Sequence, residues 1–367
     1  MRAALTRRAG LAGIAVASIV VLAGCGTGGS TPDAANMLTE LGDYEGQVSI
    51  LAWPGYVEDG TNYPEYDWVS SFEKETGCKV TAKTYGTSDE AVNLMKSGDY
   101  DVVAASGDAS LRLMAAGDVQ PVNVDLLKNY AGIYDFLKNQ SHNSYNGVEY
   151  GVPHGYGANL LQYRTDIVSP APTSWGAVFD ANSPYKGKVT AYDSPIYIAD
   201  AALYLMKTQP DLGITNPYAL DADQLAAAVD LLKTQRTLIG EYWSDYLVQA
   251  QSFTTGDSVI GTSWQVIVGV LQGENAPVDA ILPEEGATGW SDTWMIAKDT
   301  PNINCAYKWL DYIDSPKANA AATEYFGEAP VTNDACQYAS KGFCETYHAG
   351  DADYASKIWY WTTPISK

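Results

Sequence analysis

The sequence predicts an α/β protein whose body has two lobes. Three observations lead to this prediction. The chain has 367 residues, of which 46% are hydrophobic and ten are tryptophan, so it can bury a full core. About 320 residues follow the N-terminal segment, which exceeds the usual size of a single hydrophobic core. Strand-like and helix-like segments then alternate along the chain, as is typical of α/β layers.

The alternation is clearest at the start of the body. Residues 47–53 predict a strand that is apolar on both faces, which suits a parallel strand covered by helices. Pro64 opens a predicted helix that runs to Glu75 and ends at Gly77. The pattern continues with a strand over 79–85, a helix capped by Ser88 and a strand over 101–105. This order predicts a right-handed parallel layer.

The second half repeats the pattern with less regularity, which indicates another α/β layer. Apolar runs predict four further strands, over 189–192, 258–262, 278–282 and 293–297. Helical spacing of apolar residues predicts a helix within 220–238 and another over 303–313. The remaining tail is predicted to be rich in loops.

The N-terminus has the organisation of an export signal. Arg2, Arg7 and Arg8 form a basic region, and the apolar run over 9–22 is too short to span a membrane comfortably. Leu22-Ala23-Gly24-Cys25 then resembles the lipobox of bacterial lipoproteins, which implies a lipid on Cys25 and anchoring to the outer face of the cell membrane. Residues 1–24 would be the signal and 25–46 a flexible tether. The alternative is an ordinary signal peptide with an incidental Cys25.

The body is strongly acidic. The whole chain carries 22 basic and 44 acidic residues, a net charge of −22. Loss of the three signal arginines lowers the 22 basic residues to 19 and gives a net charge of −25. Such a surface repels nucleic acid and anionic lipid and attracts cations. Solubility outside the cell would explain the same charge, so the acidity alone does not choose between these interpretations.

Four cysteines remain after Cys25, and an even number in an exported chain favours disulfides over a metal site. They show no CxxC spacing and no histidine in a ligand pattern, so neither a metal nor a cofactor is predicted. Three pairings are possible. The short spacing favours Cys336–Cys344, which leaves Cys78–Cys305 as the second bridge.

Enzyme motifs are missing from the sequence. It contains no GxSxG, HExxH or P-loop pattern. His154 is the one histidine in a segment expected at the cleft, and a lone histidine there is more typical of a hydrogen-bonded wall residue than of a general base. A binding protein is therefore predicted rather than an enzyme.

Aromatic and acidic residues gather where the predicted strands end, and ligands of open parallel sheets lie outside the carboxyl ends of the strands. Aromatic faces attract organic cations, and desolvated carboxylates pair with ammonium groups. Each ring could instead belong to a core, but their shared position favours a common cleft. The predicted ligand-binding residues are Trp53, Tyr56, Ser106, Asp108, Tyr156, Asp193, Tyr197, Trp264, Trp290 and Asp292.

Several short motifs resemble the extracellular solute-binding proteins of polyamine ABC importers. They are Trp53-x-x-Tyr56, the stretch over 72–80, Tyr100-Asp101-Val102-Val103, Pro172-Thr173-Ser174-Trp175, the stretch over 185–189 and Pro283-Glu284-Glu285-Gly286. The similarity runs from about residue 47 to 333 in consistent order. It implies the type II fold of periplasmic binding proteins, with a ligand cleft at the hinge between a lobe of 47–154 plus 290–333 and a lobe of 155–289 plus 334–367. It also implies a monomer that hands its ligand to a membrane permease.

The resemblance implies a small cationic amine of the putrescine or spermidine type as the ligand. The chain departs from the family at two second-lobe acid positions, which are Ser194 and Tyr197, and it has Asp108 where an aromatic is expected. Glu328 adds an acid near the position of a late cleft tyrosine. A diamine, a quaternary amine, an amino-acid-like zwitterion and a neutral sugar therefore stay open as ligands, and a secreted hydrolase is a remote alternative.

Overall fold

The computed structural model describes residues 37–364, and these contain two main β-sheets with helices packed against them. The elements of the N-terminal part, in chain order, are β1 (Gln47–Ala52), α1 (Val69–Thr76), β2 (Lys79–Thr84), α2 (Ser88–Met95), β3 (Val102–Ala105), α3 (Gly107–Ala116), β4 (Ser144–Tyr145), β5 (Val148–Glu149), β6 (Gly151–Ala158), β7 (Leu160–Arg164), α4 (Gly176–Phe179), β8 (Val189–Tyr192) and α5 (Ile198–Thr208).

The C-terminal part contributes further helices and strands to both sheets. Its elements are α6 (Ala222–Gln235), β9 (Ile239–Trp243), α7 (Tyr246–Thr255), β10 (Ile260–Ser263), α8 (Gln265–Gly273), β11 (Val278–Ile281), β12 (Ala287–Ile296), α9 (Ile303–Ile313), α10 (Pro316–Phe326), β13 (Ala329–Pro330), α11 (Phe343–Thr346), α12 (Ala352–Ala355) and β14 (Ile358–Tyr360). The predicted helix over 303–313 is confirmed at both ends.

The first sheet has the strand order β13-β6-β12-β3-β1-β2, with β14 paired to β12. Strand β1 pairs in parallel with β2, from Gln47 opposite Lys79 to Ala52 opposite Thr84, and also in parallel with β3. This confirms the predicted parallel layer. Strand β12 is antiparallel to both β3 and β6, and all ten of its residues are buried. It is therefore the central strand of the first sheet.

The second sheet has the order β11-β7-β10-β8-β9. Strand β8 is parallel to β9 and β10, whereas β7 is antiparallel to β10 and β11. The chain passes from the first sheet to the second at Asn159, the single residue between β6 and β7, and returns between β11 and β12. The junction of the two sheets therefore lies beside β6 and β12. The lobe boundaries given above stay a prediction.

Three local predictions were wrong. Helix α1 begins at Val69 rather than at Pro64, because the amides of Trp68 and Val69 bond back to the carbonyl of Glu58 and hold the preceding residues in a loop. Thr87 caps α2 in place of Ser88, and its hydroxyl accepts from the amide of Glu90. The tail contains a regular helix, α10, that begins with proline and ends at Gly327 in the left-handed conformation.

Both predicted disulfides are present. Cys78, just before β2, is bonded to Cys305 in α9 across a sequence separation of 227 residues. Cys336 is bonded to Cys344, eight residues further on. Cys25 and the proposed signal and tether up to residue 36 lie outside the described residues. Within 37–364, no helix has both the length and the apolar character that crossing a bilayer requires.

Candidate ligand-binding site

Strand β12 places Trp290 and Asp292 at the junction of the two sheets. Its pairing with β6 shifts register between Ser291 and Thr293, which marks a β-bulge. Bulges re-aim side chains and are common beside binding sites. Trp290 is 7% exposed and Asp292 is 2% exposed. Both predicted residues therefore lie in the interior rather than on an open surface.

The Asp292 carboxyl group is the centre of the polar part of the site. The Tyr56 hydroxyl donates to its Oδ2 at 3.0 Å, whereas Oδ1 has no hydrogen-bond partner among the described residues. Burial raises the pKa of Asp292 to about 7, against the lowering effect of the nearby Ser106 and Tyr56 side chains. Four predicted residues meet here, since the Trp53 indole also approaches this carboxyl.

Asp108 extends the acidic part of the site toward the second sheet. It lies in the first turn of α3 and accepts from the Ser88 hydroxyl at 3.1 Å. Burial raises its pKa. Its negative charge helps to raise the pKa values of Asp292 and of Tyr192, which ends strand β8. Asp108 therefore lies close to groups from both sheets.

Four aromatic rings form a closed ring beside these acids. The centroid distances are 5.4 Å from Tyr192 to Trp264, 5.5 Å from Trp264 to Trp290, 5.8 Å from Trp290 to Trp361 and 6.3 Å from Trp361 to Tyr192. The centre of a ring with such sides lies within about 6 Å of every centroid, the range over which a cation is attracted to an aromatic face. We call these four residues the aromatic ring.

Two of the tryptophans are held by hydrogen bonds of their indole nitrogens. The Trp264 indole donates at 2.9 Å to Asn159, the residue between the two sheets, and the Asn159 amide donates to the Thr288 hydroxyl at 2.6 Å. The Trp290 indole donates at 2.9 Å to Glu328 Oε2. Glu328 is completely buried, and burial raises its pKa well above its ordinary value. These bonds fix the ring orientations before any ligand arrives.

His154 lies against Glu328 but forms no charged pair with it. His154 Nε2 and Glu328 Oε1 are 3.6 Å apart, beyond hydrogen-bond distance, and burial lowers the pKa of His154 to about 3. The imidazole packs on the Tyr56 ring at a centroid distance of 4.2 Å. His154 is therefore a neutral wall residue, as expected, but the expected hydrogen bond is missing, since neither ring nitrogen has a partner among the described residues.

Glycines in β6 make room for this arrangement. A Cβ atom on Gly157 would overlap the Trp290 ring, and one on Gly155 would overlap the Glu328 carboxyl group. Strand β6 was not predicted from the sequence, because these glycines are of a residue type that is depleted in strands.

Gly157→Ala is expected to lower the free energy of unfolding by about 1–3 kcal/mol, because the added methyl group must displace Trp290 or the backbone. Urea unfolding followed by circular dichroism measures this. Gly269→Ala is the matched control, since its Cβ would meet nothing within 4 Å and it lies in α8. The control should gain about 0.5–1 kcal/mol. Equal stability of Gly157→Ala and the wild type would contradict this account of Trp290.

Three predicted site residues lie elsewhere. The Tyr156 hydroxyl donates to the carbonyl of His348 and accepts from the amide of Gly350, so its ring lies in the core of the first sheet. Tyr197 lies in the core of the second sheet, where its hydroxyl accepts from Gln235 at 2.9 Å. Asp193 is exposed, and a contact with the other acids is not seen.

Four residues of the site were not predicted. Tyr85 packs against Trp53 at a centroid distance of 4.4 Å with the ring planes tilted by 51°, and Tyr218 packs with Trp290 and Trp361. Tyr85 and Tyr192 stand at strand ends, so the rule that found Trp53 and Trp264 also applies to them. The strand-end rule did not indicate Tyr218 or Trp361. Within the described part of the chain, no group of three or more histidine, cysteine or acidic side chains is arranged to hold a metal ion.

A buried site of rings and carboxyls at the junction of two α/β sheets is typical of a protein that binds a small solute. The chain belongs to the family of bacterial extracellular solute-binding proteins, whose sequence model matches residues 67–345. Members of this family are transport binding proteins and not enzymes. The predicted function class is therefore confirmed.

Curated relatives and a solved structure agree with this membership. The spermidine/putrescine-binding periplasmic protein of Escherichia coli K12 is 25% identical over 276 residues, covering 74% of this chain and 76% of that protein. The putrescine-binding periplasmic protein SpuD of Pseudomonas aeruginosa is 28% identical over 314 residues, covering 78% and 83%. The spermidine/putrescine ABC transporter substrate-binding protein PotD of Streptococcus pneumoniae superposes with a TM-score of 0.71 at 19% identity, covering 87% and 94%. The predicted type II binding-protein fold is confirmed.

Proposed function

We propose that this protein captures a small organic cation of the polyamine class and delivers it to the membrane permease of an ABC importer. One observation carries the proposal. Asp292 and Glu328 are buried and Asp108 is half-buried beside them, and within residues 37–364 no lysine or arginine nitrogen lies within 4.0 Å of any of the three carboxyl groups. Arg112, the cation that acts on Asp108 from farther away, is itself paired with Asp89 at 2.6 Å. A ligand ammonium group would supply the missing positive charge.

The four residues of the aromatic ring also favour a cationic ligand. Rings offer negative faces, and their apolar bodies suit the methylene chain between ammonium groups. A neutral sugar would also stack on rings, but it would leave the three acids without a charged partner. Burial of an ionised carboxylate is costly unless it is paired, so the acids favour the cationic ligand.

The names of the relatives support this choice. Both curated proteins described above are named for binding putrescine, and one of them also for spermidine. The site of this chain also contains Trp53 and Tyr56, which form one of the short motifs at which the sequence resembles such proteins. We therefore place putrescine and spermidine first among the candidate ligands.

The proposal also covers how the protein is placed and how it acts. Cys25 would carry a lipid that keeps the binding domain beside its permease. A monomer would bind its ligand between a lobe of 47–154 plus 290–333 and a lobe of 155–289 plus 334–367. Closure of these lobes around the ligand would be the state that the permease recognises.

Isothermal titration calorimetry with a ligand panel tests the proposal. The panel consists of putrescine, spermidine, choline, γ-aminobutyrate and glucose, at pH 8 and low ionic strength. Putrescine or spermidine is expected to bind most tightly, and raised salt should weaken binding because the contact is partly ionic. Glucose binding with no response to any amine would overturn the cationic ligand. Glucose thus serves as the control for ring stacking without charge.

A further inference from the structure

We infer that Trp361, at the end of the C-terminal segment 358–361, is a ligand-contacting residue that closes the aromatic ring against a small organic cation. The inference rests on the proposed function for the class of ligand. Its structural basis is independent of that function, because it concerns the position of a tail segment between two parts of the fold.

The segment is held by regular backbone pairing. Strand β14 runs parallel to β12, with Ile358 opposite Ala287 and Tyr360 opposite Gly289. The next residue continues this pairing, since the Trp361 amide donates to the carbonyl of Gly289 at 2.7 Å. Gly289 directly precedes Trp290 in β12. The tail thus lies beside the strand that carries Trp290 and Asp292.

Trp361 supplies the fourth side of the aromatic ring. Its ring is parallel to that of Tyr192, with 5° between the planes, and it lies 5.8 Å from the Trp290 centroid. It is 9% exposed, and its indole Nε1 is buried without a hydrogen-bond partner in the described part of the chain. Buried donors normally have a partner, so this donor beside the proposed site is available to a ligand or an ordered water.

The backbone of the segment contacts elements on both sides of the site. A Cβ atom on Gly107 would overlap the Trp361 carbonyl oxygen, so the tail passes directly over the first residue of α3. Asp108 is the next residue of that helix. On the other side, the Tyr218 hydroxyl donates to the carbonyl of Trp359 at 2.7 Å. The tail therefore lies between helix α3, which carries Asp108, and Tyr218.

This placement allows Trp361 to be tested in two ways. Trp361→Ala removes the ring and leaves the backbone. Gly107→Ala leaves the ring and adds a methyl group where the tail backbone passes, at a helical position where alanine is otherwise favourable. Tyr360→Phe is the control, because it changes the same segment but removes only a hydroxyl that has no partner among the described residues.

Calorimetry measures the affinity of each variant for putrescine, or for whichever panel member the wild type binds most tightly. Trp361→Ala and Gly107→Ala are expected to weaken binding about ten-fold, and Tyr360→Phe less than two-fold. Circular dichroism and thermal unfolding without ligand establish that each variant is folded. A Trp361→Ala variant that is folded and binds within two-fold of the wild type would overturn the inference.

The two proposals fail in different ways. If the wild type binds only glucose, the cationic ligand is wrong, and the loss in Trp361→Ala is then measured with glucose. If the wild type binds putrescine and the Trp361→Ala variant binds it equally well, the class of ligand stands and the role of the tail is wrong.

Discussion

Asp292→Asn is expected to bind putrescine at least about 30-fold more weakly than the wild type, while its ligand-free form is more stable at pH 8. Removing one partner of a buried charged pair costs about 2–5 kcal/mol of binding free energy, and 2 kcal/mol corresponds to about 30-fold. The amide oxygen of asparagine can still accept the hydrogen bond from the Tyr56 hydroxyl, so the fold should be retained.

The gain in stability follows from the raised pKa of Asp292. A carboxyl group whose pKa is higher in the folded state than in the unfolded state stabilises the fold only below its unfolded pKa, and this contribution is lost as the pH rises through the folded value. For Asp292 this contribution is lost over the pH range from the ordinary pKa of 3.8 to the folded-state pKa of about 7. Above it, the ionised group destabilises the ligand-free protein by about 4 kcal/mol, which the asparagine avoids.

The measurement combines calorimetry with urea unfolding between pH 5 and 8. The wild type should lose affinity for putrescine as the pH falls below about 7, because a protonated Asp292 no longer attracts the ammonium group. Asp230→Asn is the matched control, since Asp230 is 72% exposed in its side chain and pairs only with Lys233. Unchanged affinity in Asp292→Asn would remove this residue from the site.

Replacing Cys78 and Cys305 by alanine is expected to cost about 5 kcal/mol of unfolding free energy. The bridge joins residues 227 positions apart, and on the chain-entropy model a cross-link restricts the unfolded chain more as its loop grows. Both cysteines are fully buried in the core of the first sheet, so alanine also suits their surroundings. Urea unfolding monitored by tryptophan fluorescence gives the difference.

The second disulfide provides the control for this prediction. Cys336 and Cys344 are only eight residues apart, so replacing both by alanine should cost about 2–3 kcal/mol. Equal losses from the two double variants would show that loop length does not decide the stabilisation in this protein. Ligand affinity should change little in either variant, because neither bridge touches the aromatic ring.

The sequence predicted those strands and helices whose residues carry a clear apolar pattern. Strands β1 and β2 and helix α9 follow from runs of apolar residues and from helical spacing, and the structure has them within one residue of the predicted ends. The disulfides followed from cysteine number and spacing. Strand β12 was predicted only from Thr293, because Gly289 and the polar residues after Trp290 interrupt its apolar run.

Only part of the site was predicted. The ends of strands show where a cleft lies, but they do not show which face of each strand lines it. This rule found Trp53, Trp264, Trp290 and the two acids that lie together. It also selected Tyr156 and Tyr197, whose rings turn into the cores on the other faces of their elements. Trp361 follows a short strand at the far end of the chain, and its place depends on long-range pairing with β12 that no local pattern reveals.

The tail pairing has a consequence for the order of events during synthesis and export. The four members of the aromatic ring are separated along the chain, from residue 192 to residue 361, and the acids begin at residue 108. Contacts between such distant residues form late, after the intervening chain has become available. A chain that has not yet emerged as far as Trp361 has no complete ring. Such a chain is expected to bind its ligand more weakly than one in which Trp361 has already paired beside Gly289.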